Sequence, residues 1–150
     1  EECRDPGAGD LILACEDALI AAQNAVIAAE SMGIGSCYIG DILENRERVV
    51  KLLDLDRFVF PVTMVVFGRP TEGQKTRSKP RRFDKKYIVQ QNRYSPLDER
   101  TLRKMHAEQA GGLDYDFDTF MRAFCRRKCM SEFAREMTRS VTEYLKNFSG

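Results

Sequence analysis

Three glycines fall within eight residues in the run Gly33-Ile34-Gly35-Ser36-Cys37-Tyr38-Ile39-Gly40. Backbone without Cβ atoms lets amide groups come close to a flat ligand. On spacing alone the plainer reading is a helix stop followed by a tight connection. The glycines follow a helical pattern instead of opening one, so the run is not the dinucleotide-binding fingerprint. A second constellation is Lys79-Pro80-Arg81-Arg82, inside a stretch that also holds Lys75, Arg77, Lys85 and Lys86. Clustered Lys and Arg suit a terminal phosphate through charge-assisted, bidentate hydrogen bonds. Taken alone, such a run is more often a solvated charged loop. No aromatic residue falls within Lys79-Pro80-Arg81-Arg82 itself, so nucleic acid is not an expected partner.

The other reactive side chains offer less. Cys125 and Cys129 stand four apart, a spacing that permits shared metal ligation, but no second close cysteine pair accompanies them. The expectation is two buried structural thiols and no metal site. His106 is the single histidine and lies in a charged segment, so a surface position is expected. No serine occupies a nucleophile-elbow pattern. With no evident acid, base or nucleophile, an enzyme built on this chain needs a cofactor to carry its chemistry.

Composition narrows the class. The 150 residues are 43% apolar and 31% charged, as in an ordinary soluble domain. Lys and Arg total 24 against 23 for Asp and Glu, a net charge of +1, which favours neither nucleic acid nor a membrane surface. Five cysteines at irregular spacing, with Cys15, Cys37 and Cys125 in apolar stretches, read as reduced thiols in a cytoplasmic protein. The chain opens without a signal-peptide pattern, and its start at Glu1 reads as a cut.

The elements that position these residues follow from periodicity. Asp10 is expected to cap a helix reaching about Met32, with Gly33 stopping it. Its polar doublets Glu16-Asp17, Gln23-Asn24 and Glu30-Ser31 recur every seven residues and share one stripe. The rest is mostly Leu, Ile, Val and Ala, so the helix is expected to be buried on most sides, as a central helix or as one between subunits. It is long enough for a bilayer, but the polar doublets argue against that. A short extended segment over 36–40 precedes a helix from about Asn45, with Val49, Val50, Leu52 and Leu53 on its buried face. Phe58 to Phe67 reads as a central strand covered by helices, with Pro61 at its beginning. A basic loop spans 71–86, and Tyr87-Ile88-Val89 reads as a short strand. Ser95-Pro96-Leu97-Asp98 is expected to open a helix that runs to about Gln109 and breaks at Gly111-Gly112. A last helix from about Asp118 carries Met121, Cys125, Cys129, Phe133, Met137, Val141 and Leu145 every four residues.

The order of these parts resembles the nitroreductase family. The likeness is carried by the stretch from Asp17 through Gln23-Asn24 and Glu30-Ser31 to Gly33 and Gly35. Tyr38-Ile39-Gly40, Leu52-Leu53, Pro61 to Gly68 and Lys79-Pro80-Arg81 continue it. The branch it resembles holds the oxygen-insensitive nitroreductases and flavin reductases. The likeness is specific from about Asp17 to Tyr94 and collinear through the last helices. It implies an α+β fold, an antiparallel sheet flanked by helices, in an entwined homodimer. Residues 1–150 would be one domain, with a flavin-binding core portion over 1–94 and C-terminal helices over 95–150. It implies FMN as cofactor, with the backbone of Tyr38, Ile39, Gly40 and Asp41 along the isoalloxazine and Lys79 and Arg81 at the phosphate or ribityl side. It implies NAD(P)H as reductant and a ping-pong transfer to nitroaromatics, quinones or free flavin, small planar acceptors. The family's Arg-Ser-x-Arg segment, which holds the flavin phosphate, is absent from these residues. The 150 residues alone are therefore expected to be a poor catalyst. Where the branch carries an arginine-bearing loop for the extra phosphate of NADPH, the stretch from Gly111 to Asp116 is short and acidic. The alternative function is a non-catalytic flavin-binding or dimeric interaction module.

Overall fold

The computed structural model describes residues 3–112 and 115–149. They gather into two compact units. One runs to Thr76 and resumes at Met130, and the other is Arg77–Cys129.

The first unit begins with α1 (Ala8–Ser31). Its N-cap is Gly7, not Asp10 as expected, because extended backbone at Gly7 starts the helix earlier. Asp10 instead sits in the first turn, where its carboxylate accepts the Gly7 N–H at 2.8 Å and pairs with Arg4 at 2.6 Å. Anionic charge there complements the helix dipole. The stop is as expected. Gly33 takes a left-handed φ of 72°, and the N–H groups of Gly33 and Ile34 close onto the carbonyls of Glu30 and Ala29, both at 2.9 Å.

That reversal delivers the chain into β1 (Gly35–Ile39), paired antiparallel with β2 (Met64–Gly68). The register sets Gly35 opposite Gly68, Tyr38 opposite Val65 and Ile39 opposite Met64. The strand expected from Phe58 is thus shortened to Met64. Its first half is irregular because Pro61 has no N–H to offer a ladder, and the Val59 and Val62 N–H groups close local turns onto Asp56 and Phe60. The rings of Phe58 and Phe60 pack edge-on against Phe148 at 5.7 Å and Tyr144 at 5.3 Å. Helices do not cover β2 on both faces either, since Met64, Val66 and Phe67 are exposed.

Between the strands lie a 3-10 turn over Gly40–Leu43 and α2 (Arg46–Leu53), and after β2 comes the short α3 (Glu72–Thr76). Leu52 and Leu53, expected on the buried face of α2, are exposed. The helix is held through its N-terminus, which meets α7 (Glu132–Leu145). Glu136 accepts the Asn45 N–H at 3.0 Å, and the Ser140 hydroxyl accepts the Arg46 N–H at 3.0 Å. Arg139 donates to both carboxylate oxygens of Glu47, at 2.9 and 2.8 Å, and reaches Glu136 at 2.8 Å. Both acids are pulled down to about 2, first by their hydrogen bonds from Arg139.

The second unit contains α4 (Lys85–Ile88), α5 (Glu99–Ala110) and α6 (Phe117–Cys129). Tyr87-Ile88-Val89 is therefore mostly helical, not a strand, because Asp84 caps a turn by accepting the Lys86 N–H at 2.9 Å. α5 starts later than expected, with Asp98 as N-cap accepting the Thr101 N–H at 2.8 Å, and ends at Gly111 with a φ of 95°. His106 is not a surface residue. It is half-buried among the rings of Phe83, Phe117 and Phe120, at 5.2, 5.4 and 5.2 Å.

The continuous last helix is also corrected. It breaks after Cys129, and the Ser131 hydroxyl accepts the Ala134 N–H at 3.2 Å to start α7 afresh. Cys125 and Cys129, expected to be buried, are exposed, as is Cys37.

Candidate functional site

Tyr38 and Ile39 are the last two residues of β1, and Gly40 and Asp41 open the 3-10 turn that follows. The sheet edge ends here because the turn diverts the chain. The Thr63 hydroxyl donates to the Ile39 carbonyl at 3.2 Å and fastens the strand end to the residue before β2. Tyr38 is 39% exposed, and its hydroxyl donates to Gln23 Oε1 of α1 at 3.3 Å. Gln23 is one member of the polar doublets, so that stripe has a structural use at this point. Gly40 and Asp41 are exposed. Apart from Gly40 and its two chain neighbours, no atom of the described residues lies within 4 Å of the place where a Cβ on Gly40 would stand. A planar group can therefore approach the Gly40 backbone to van der Waals contact.

Lys79 and Arg81 belong to the second unit and lie in irregular chain between α3 and α4. Both are exposed, and among the described residues neither forms an ion pair. Arg81 is anchored through its backbone, whose carbonyl accepts from Gln109 at 3.2 Å. Its guanidinium sits over Gly111, where a Cβ would stand 2.5 Å from one guanidinium nitrogen. Gly111 thus serves twice, supplying the left-handed stop of α5 and the room for Arg81. Arg81 lines a cleft of about 620 Å³ with Arg103, Lys104, Glu108, Tyr115 and Phe117. Sequence reasoning missed Arg103 and Lys104, because α5 brings them in from 22 and 23 residues away. Arg103 is already neutralised by Glu99 and Asp118, each at 2.8 Å, which raise its pKa. Arg81 is the cation there left open to an anion among the described residues. In the acidic stretch from Gly111 to Asp116, Leu113 and Asp114 lie outside the described residues. Asp116 accepts the Thr119 N–H at 3.0 Å and caps α6.

Comparison with known proteins agrees with this architecture. Residues 3–69 match the family model described as "Nitroreductase family". The oxygen-insensitive NADPH nitroreductase of Salmonella typhimurium is 38% identical over 103 residues, 69% of this chain and 42% of that protein. An NADPH-dependent oxidoreductase of Staphylococcus aureus is 35% identical over 85 residues, 56% of this chain and 33% of that protein. The chain thus spans less than half the length of these curated relatives. A crystal structure of a Bacteroides fragilis protein superposes with a TM-score of 0.82 over 99% of this chain and 63% of its own, at 20% identity, a likeness of fold alone. Helix α1, the glycine reversal and the β1–β2 ribbon all lie within the matched segment, and over that segment the chain is similar to the nitroreductase family.

Proposed function

We propose that this chain is part of an FMN-dependent NAD(P)H oxidoreductase that passes reducing equivalents to nitroaromatics, quinones or free flavin in two separate half-reactions. The observation that carries this reading is the exposed backbone from Tyr38 to Asp41, with open space over Gly40, in a nitroreductase-family segment. FMN bound there would supply the hydride acceptor and donor. The chain's own residues bind and orient. Backbone from Tyr38 to Asp41 flanks the ring, and Thr63 keeps that strand end from fraying. Lys79 and Arg81 neutralise a phosphate of about two negative charges by charge-assisted hydrogen bonds. Residues 1–94 act as the flavin-core portion and 95–150 as the C-terminal helices of one domain.

We further propose that α1 is the dimer helix. Ile12, Leu13, Ile20 and Ile27 are all more than half exposed, and a second copy of the chain would bury them. A ring lying on an exposed strand end is shielded on one side only, so a partner subunit would also exclude water from it. The relatives' names support a reduced nicotinamide as donor. A cytoplasmic location fits the reduced thiols.

Absorbance spectroscopy of the complete protein tests the reading. A flavin spectrum bleached by NADH or NADPH and restored by a quinone is the expected result. A stable yellow protein that no nicotinamide reduces would make it a binding module instead. Arg81→Ala is expected to weaken FMN affinity by about tenfold to a hundredfold, the worth of one charge-assisted contact. Unchanged affinity would return the basic loop to a solvated surface.

A further inference from the structure

Two thiols on α6 lie outside the machinery described above. Cys125 and Cys129 are both free and exposed, near the C-terminal end of the helix. Residues four apart on a helix share a face, with Cβ atoms about 5–6 Å apart. A disulfide needs them about 3.5–4.5 Å apart, so the intact turn resists direct ring closure. One metal ion bonded to two sulfurs, at about 2.3 Å each as in zinc thiolates, spans up to about 4.6 Å and fits the intact helix.

The neighbouring residues say which ion. The three positions between the thiols are Arg126, Arg127 and Lys128, and no carboxylate occurs from Thr119 through Ser131. Among the described residues no group of three or more Cys, His, Asp and Glu could complete a shell. Zinc, which takes four ligands in structural sites, is poorly served. A two-coordinate soft monovalent ion is well served, because thiolate and thioether donors select it. The charge also closes. Two thiols lose two protons and bind one monovalent ion, leaving a complex of charge −1 beside three fixed cations.

We propose that Cys125 and Cys129 form a two-coordinate bis-thiolate site for a soft monovalent cation of the copper(I) or silver(I) class. The experiment uses the whole chain, reduced and metal-free, with Cys3→Ser, Cys15→Ala and Cys37→Ser removing the other thiols. It is titrated anaerobically with copper(I) against a chromophoric copper(I) chelator, and in parallel with zinc(II). One copper(I) per chain, two protons released per ion and no comparable zinc uptake are expected. Placing Ser at either position, as Cys125→Ser or Cys129→Ser, should weaken binding on the order of a hundredfold, since the second thiolate acts at high effective concentration. Circular dichroism of each variant, and the same titration of the parent against its Cys125→Ser/Cys129→Ser double variant, separate loss of site from loss of fold. Single-serine variants that bind like the parent, zinc held as tightly as copper(I), or no copper(I) uptake by a folded chain would each overturn the assignment.

Discussion

Helices α1 and α7 belong to the same unit and solve the burial problem in different ways. In α7 the apolar and small side chains face this chain's own core, so Ser140 is 0% and Tyr144 1% exposed. In α1 the covered positions are Leu11, Cys15, Ala22, Val26 and Ala29, one stripe at helical spacing. Ile12, Leu13, Ile20 and Ile27 stand outside that stripe and stay exposed, Leu13 and Ile20 at 63% each. An amphipathic helix has its partners in its own chain, whereas a helix apolar beyond one stripe carries surface meant for something else. α1 is also long and apolar enough to cross a membrane by length and composition alone. The Glu16, Gln23 and Glu30 series on its exposed side, with Gln23 already bonded by Tyr38, fits a protein interface better.

The largest expected effect would break that comparison. Ile20→Arg places a long cation in the middle of the uncovered surface. If a second copy covers α1, an unpaired charge there costs about 3–5 kcal/mol, and the dimer dissociates at micromolar concentration. Sedimentation equilibrium reads this directly. A parent chain that is a stable monomer, or a variant that associates as tightly as the parent, would show that α1 faces water.

The next effect concerns how α7 is held to α2. The Ser140 hydroxyl accepts the Arg46 N–H and donates to Glu136 at 2.8 Å, so Ser140→Ala leaves the part-buried Arg46 N–H without its acceptor, while Glu136 keeps its bonds from Asn45 and Arg139. A loss of about 1–3 kcal/mol in unfolding free energy is expected from denaturant titration, with no change in association. The same network sets an acid limit. Glu47 and Glu136 are held near 2, below their ordinary 4.5, so folding favours their charged forms. That stabilisation is whole above about pH 4.5 and is lost as pH falls toward 2. Arg139→Gln should flatten the pH dependence of the unfolding midpoint over that window. An unaltered profile would mean that solvent screens these exposed ion pairs fully.

Much of the fold was legible where capping chemistry is local. Gly33 stops α1, Asn45 opens α2 and Gly111 ends α5 because each needs only its own backbone conformation. What was hidden depends on residues far apart in the chain. Phe58 and Phe60 read as strand because an aromatic, β-branched run looks alike whether it pairs with a strand or packs on Tyr144 and Phe148. His106 looked exposed on a charged helix, yet its ring partners come from Phe83 and from α6. The Ser131 cap was visible as Ser followed by Glu, but a four-residue apolar repeat runs across the break and masked it. Of the candidate site, the exposed strand end at Tyr38 to Asp41 follows from the glycines around it. The cleft beneath Arg81 does not, because Arg103 and Lys104 reach it only through the folding of α5.

The smallest predicted effect sharpens the contrast from inside the better-packed helix. Tyr144 is almost wholly buried, and its ring packs on Phe60 with the Arg46 guanidinium 5.1 Å from its centroid. Yet among the described residues its buried hydroxyl finds no hydrogen-bond partner. Burial also pushes its pKa up, the direction expected of a phenol kept from water. The ring and the hydroxyl therefore act in opposite senses. Tyr144→Phe keeps the edge-on aromatic contact and removes an unsatisfied polar atom, so it should leave stability unchanged or raise it by up to about 1 kcal/mol. Tyr144→Ala, which removes the ring as well, should cost about 3–5 kcal/mol. Neither should alter association, because Tyr144 faces the chain's own core. The decisive measurement is the chemical unfolding midpoint of the Phe variant. A fall of more than about 1 kcal/mol would mean that the hydroxyl holds a bound water or a polar partner, the usual state of a buried tyrosine.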